Sequence, residues 1–184
     1  MPRDMEADGH TFAETTAAGA EALAAALDAA GSVTAGLLSW CEARGIGSGP
    51  IRVLACAEGA PPKELARLLG AAGTAEPLSL RRVVLGRGGI ALAEAENLHL
   101  PARLPEPMRQ ALAKSDRPFG EVAAPLGLRR RTLERRSGAA AGPGAVLAQT
   151  ALVFSADGTV LAAVRERFLA VLLGPRAAGS LKRA

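Results

Sequence analysis

Tyrosine is missing from this 184-residue chain, and the aromatic complement is four Phe and one Trp, 3% of residues. A core must therefore be built from Leu, Val, Ile and Ala. Two cysteines, Cys41 and Cys56, are too few for a disulfide framework or a metal cluster. Each has apolar neighbours in sequence and is expected to be a small core residue. The two histidines, His10 and His99, lie far apart and have no metal-ligand spacing, so no metal is expected. No uncharged apolar run reaches the roughly 18–20 residues of a membrane helix, since Glu21 and Asp28 interrupt the Ala-rich stretch from Ala17 to Ala30. The first residues carry acids where a secretory signal has a basic start. These absences lead to the expectation of a cytoplasmic protein without a membrane span.

Apolar residues make up 49% of the chain and charged ones 22%, enough to build one core of domain size. The formal net charge is +4, carried almost wholly by arginine. Its densest run, Leu128 to Arg136, invites a phosphate-binding reading. Single-strand readers also need stacking rings, and the nearest is Phe119, so the run is read as a solvated strand face and no nucleic-acid partner is expected.

The organisation expected is a polar, disordered segment over residues 1–11, one domain over 12–173, and a flexible tail over 174–184. A helix from Phe12 to Ala30 stops at Gly31, and Ser32 or Thr34 caps a second helix ending near Ala43. Strands follow at Ile51–Ala57, Ser79–Leu85, Ile90–Leu100, Leu128–Arg136, Ala145–Phe154 and Thr159–Leu172, the second and third joined through Gly86-Arg87-Gly88-Gly89 and the last two through Asp157-Gly158. Short helices are read at Pro62–Leu69, Glu106–Lys114 and Glu121–Ala124. Strands that do not alternate with long helices exclude a doubly wound parallel sheet. The expected class is α+β: an antiparallel sheet of about six strands with helices on one side.

Glu166 stands alone on a strand face otherwise made of Val160, Ala162, Val164, Phe168 and Ala170. A buried lone carboxylate must be paired, protonated or turned to a ligand cavity. Arg165 and Arg167 point to the other face; an ion pair to another strand would also satisfy it. In Leu80-Arg81-Arg82-Val83, one arginine must face the core and needs an acid or an anionic ligand. An Arg81 and a Glu166 separated by an apolar slot would suit a flat acid with a polar group para to its carboxylate.

From Leu27 to Leu169 the chain resembles the chorismate pyruvate-lyase (4-hydroxybenzoate synthase) family. Gly31-Ser32-Val33-Thr34, Leu80-Arg81-Arg82-Val83 before a Gly-rich turn, Leu100-Pro101, Arg117-Pro118-Phe119-Gly120 and Glu166-Arg167-Phe168-Leu169 carry the resemblance, in the family's order. It implies a six-stranded antiparallel sheet with helical flaps over a buried ligand. It also implies cofactor-free elimination of pyruvate from chorismate to leave 4-hydroxybenzoate, a ubiquinone precursor. Arg81 would hold the ring carboxylate and Glu166 the ether or hydroxyl side as the catalytic pair. Val33, Thr34, Asn97, Phe119 and Gly120 would line the substrate, and the enzyme would be a monomer. Ala95-Glu96-Asn97 puts Asn97, or Glu96 in a shifted register, where the family carries a second arginine. The alternative implied by the same fold is a non-catalytic domain that senses a small aromatic acid, as in some bacterial transcription regulators.

Overall fold

A computed structural model of the chain describes residues 5–71, 73 and 75–174, with side chains described from residue 16 onward except at 71. Its sheet is six-stranded and wholly antiparallel, in the order β1-β2-β3-β6-β5-β4, with β1 Ile51–Ala57, β2 Ser79–Arg87, β3 Ile90–His99, β4 Arg129–Ser137, β5 Ala145–Phe154 and β6 Val160–Leu169. The helices are α1 Met5–Ala29, α2 Val33–Arg44, α3 Lys63–Ala71, α4 Glu106–Lys114 and α5 Phe119–Val122. The α+β class expected from the sequence is the architecture observed. Helix α1 begins at Met5, inside the stretch expected to be disordered; residues 1–4 and, after Gly174, the expected tail lie outside the described residues.

Residues paired across strands share a face, so the register places Arg81, Asn97 and Val164 in one row. Val83, Ala95, Glu166 and Gln149 form the next row on the same face. On that face α1 and α2 lay Leu23, Leu27, Leu37, Trp40 and Cys41 against Val83, Leu85, Ala93, Leu147 and Phe168. Farther along it, Leu112 of α4 with Phe119 and Val122 of α5 cover Ala151, Val153, Ala162 and Val164. Helix α3 is the exception to one-sided cover: Leu65 and Leu69 pack on Leu80, Leu98, Leu152 and Ala163 of the reverse face. Alternation alone puts Leu92 with Leu98, but the β2–β3 register skips Leu92, and the irregularity turns it into the α1/α2 core.

Ser32 caps α2 by accepting a hydrogen bond from the Ala35 amide at 3.2 Å, and Gly45 ends it in the left-handed region at φ 65°. The Trp40 indole donates to the Leu172 carbonyl at 2.8 Å, tying the short 3-10 turn after β6 to α2. Arg87 is buried and donates to the carbonyls of Gly49, Ile46 and Gly47, stapling the loop between α2 and β1 to the end of β2. Arg87→Ala would orphan these carbonyls; a loss of about 2–3 kcal/mol is expected in urea unfolding, with little change in m.

Cys41 is fully buried as expected, whereas Cys56 is exposed. It lies on β1, an edge strand whose far end no helix covers, so its apolar sequence neighbours are surface residues too. No described helix is long and apolar enough to cross a membrane, and no described group of His, Cys, Asp and Glu could hold a metal ion.

Candidate functional site

Between the two helical patches on the inner face lies a cavity of about 50 Å³. The start of α2 contributes Ser32, Val33 and Thr34, and the start of α5 contributes Phe119 and Gly120. The sheet supplies its floor through Ala95, Asn97, Val164 and Glu166. Six of the seven site residues expected from the sequence, Val33, Thr34, Asn97, Phe119, Gly120 and Glu166, therefore meet at one cavity. Arg81 does not line it. It is buried, at 7% exposure, one strand outward from Asn97 and in the same row.

No hydrogen bond or ion pair joins Arg81 to any described residue, and its nearest marked influence is on His99. His99 is itself buried on β3, tilted against the Phe119 ring at 5.8 Å between centroids, and its Nδ1 has no hydrogen-bond partner. Burial pushes the His99 pKa below its usual 6.5; a backbone contact to Asn97 opposes this and the Arg81 charge adds to it. In the window just below pH 6.5 the unfolded chain thus binds more protons than the folded one, so stability rises with pH there and is lost as pH falls. His99→Leu is expected to flatten that part of the stability–pH curve, measured as urea midpoints between pH 5 and 7.

Glu166, at 6% exposure, is not free to act as a base. Arg130 of β4 reaches across β5 and takes both of its oxygens, through Nη1 at 3.3 Å and Nη2 at 2.5 Å. Gln149 donates its amide to the same carboxylate at 3.1 Å. This ion pair to another strand is one of the ways in which the sequence allowed the acid to be satisfied. The arginine-rich strand is accordingly two-sided. Arg131 stacks over Phe154 at 5.6 Å and Arg136 pairs with Glu134 on the solvated side, while Arg129 and Arg130 line the cavity. Sequence reasoning missed these two; the signal was the period-two placement of Arg130 and Thr132 on the face that looks inward.

Gly120 is where α5 approaches α2: an added Cβ would stand 2.8 Å from the Thr34 hydroxyl. Gly120→Ala is expected to push the two helix starts apart and lower the unfolding midpoint. Adding Thr34→Ala, which removes that oxygen, should recover most of the loss.

A larger groove, about 540 Å³, crosses the reverse face of β1, β2, β3 and β6. Its charges are mutually satisfied: Glu96 accepts from Arg82 and Arg165, and Glu94 from Arg167.

No family model matches the chain. An uncharacterised protein, y4mC, of Sinorhizobium fredii (strain NBRC 101917 / NGR234) is 32% identical over 108 residues. The match takes in 57% of this chain and 46% of that protein, so this chain spans less than half the length of the relative. Among solved structures, the effector domain of PhnF from Mycobacterium smegmatis is similar with a TM-score of 0.47 at 14% identity, over 71% of this chain and 85% of that one. A possible transcriptional regulator, YydK from Bacillus subtilis subsp. subtilis str. 168, is similar with a TM-score of 0.38 at 15% identity, over 64% and 57% of the two chains. Neither is a lyase. The carbon–oxygen lyase expected from the sequence is corrected at the site: the acid assigned as catalytic is held by Arg130 and Gln149, and Asn97 stands where the lyase family has its second arginine.

Proposed function

We propose that this domain binds a small aromatic acid at the inner face of its sheet without transforming it, as a cytoplasmic effector-binding domain. The observation that carries the reading is Arg81. Arg81 is a 7% exposed residue with no acidic partner among the described residues, and a buried charge left uncompensated is costly. An incoming carboxylate supplies the missing counter-charge in bidentate form. Asn97 adds an amide beside it, Val33 and Phe119 form apolar walls, and Thr34 and Gly120 border the slot. Glu166 marks the polar far end as a hydrogen-bond acceptor for a ring hydroxyl.

A cavity of about 50 Å³ is smaller than the roughly 150 Å³ that holds a benzene ring. Binding therefore opens the site, and the short α5 with Phe119 is the element with the least helix to move. Calorimetric titration with 4-hydroxybenzoate and with benzoate tests the reading. Saturable binding with the acid recovered unchanged is expected, along with a stronger response to 4-hydroxybenzoate. Absence of binding by either acid, or chemical conversion of the bound one, would overturn it.

A further inference from the structure

Gln149 is 3% exposed and its amide is used at both ends. Its Nε2 donates to Glu166 at the cavity, and its Oε1 accepts from Arg135 Nε at 3.2 Å and Nη2 at 3.1 Å. Arg135 in turn donates to both oxygens of Asp28, at 2.9 and 2.6 Å. Asp28 is in the last turn of α1, and the Arg135 bond holds its carboxyl below the ordinary value despite some burial. One continuous chain of hydrogen bonds thus runs from the cavity floor to the end of a helix that does not itself line the cavity.

We propose that this relay, Glu166–Gln149–Arg135–Asp28, couples occupancy of the cavity to the docking of α1. An amide has fixed polarity: its donor end must face an acceptor and its oxygen a donor. A ligand that draws Arg130 or Glu166 into its own contacts changes what the Gln149 donor end sees. The buried amide can answer only by shifting as a unit, because leaving either end unsatisfied is costly at that depth. Arg135 moves with it, and the charge pair that fixes the end of α1 strengthens or weakens. Helix α1 is then the output element of the site. By linkage, whatever loosens α1 at Asp28 changes ligand affinity by the same factor.

The inference rests on the anion-binding reading for its purpose but not for its wiring, and the test separates the two. In urea unfolding, Asp28→Asn and Glu166→Gln are combined in a double-mutant cycle; their effects should be non-additive by more than threefold in the unfolding constant although the two side chains do not touch. The same cycle in a Gln149→Leu background should be additive. If Glu166→Gln does not fold, Arg130→Lys takes its place. With benzoate as the probe, Asp28→Asn should change affinity at least fivefold, while Arg136→Ala, on an exposed neighbouring pair, should not. Additive behaviour in the wild-type background, or unchanged benzoate affinity in Asp28→Asn, overturns the relay. If benzoate does not bind the unaltered protein, the anion-binding reading fails and the cycle alone decides whether the relay exists.

Discussion

Arg81→Met should make the folded protein more stable and leave it unable to bind an aromatic acid. The two effects have one cause. Arg81 lies on the inner face with no hydrogen bond or ion pair to an acid or carbonyl of the described residues, and its charge acts on His99. Replacing it with an apolar side chain of similar length removes a desolvation cost without removing an ion pair. By analogy with buried charges replaced by hydrophobic residues, a gain of about 1–4 kcal/mol is expected. A ligand carboxylate then meets no counter-charge, and affinity for 4-hydroxybenzoate should fall by a hundredfold or more. Stability gained with function lost is the mark of a residue kept for its ligand. Urea unfolding and calorimetric titration of the same sample check both halves. If Arg81→Met is destabilised as an ordinary core substitution would be, Arg81 is a structural residue and the site has lost its anchor.

The second large effect concerns the Glu166 side of the cavity. Arg130→Ala leaves the Glu166 carboxylate with Gln149 as its remaining partner, at a position where water barely reaches. Breaking a buried pair from one side costs about 3–5 kcal/mol; the Arg130 side chain is 20% exposed, which places the expected loss at the lower end. Arg130→Met with Glu166→Leu should be far less damaging than Arg130→Ala alone, because both charges then leave together. Equal losses in the single and double variants would show that the pair contributes shape and not charge.

The sheet was the more legible part of the molecule. Apolar alternation bounded by Gly, Pro and Asp-Gly turns placed all six strands to within a few residues, and β1 and β5 to their end residues. Period two also separated Arg81 and Glu166 from Arg82, Arg165 and Arg167, which is a local geometric fact requiring no partner. The N-terminal helix was less legible, since its polar, Gly-containing first turns look like frayed chain by composition.

Which residues gather at the cavity was partly readable and partly not. Val33, Phe119 and Asn97 were found through resemblance to a family, on motifs scattered over the chain. Arg130 was not found, because its role exists only once β4 lies two strands from β6 and an arginine long enough to cross β5 meets Glu166. The same long-range placement removed the lyase reading: an acid with no partner in its own strand looks catalytic, and becomes half of an ion pair when the sheet closes. Cys56 failed for the same reason in reverse, its apolar neighbours being buried only if another strand or helix covers that edge.

Sequence by itself determined the class of fold, the facing of strand residues away from irregularities such as the one at Leu92, and the presence of two ionic groups on an apolar surface, because these depend on backbone period and on the few residues nearby. Tertiary structure alone decided which of those charges is neutralised from within and which is left waiting. Glu166 received Arg130 from across the sheet, whereas Arg81 received no acid from the described residues. Counter-charges are assigned by distance in space, and no local pattern encodes that distance.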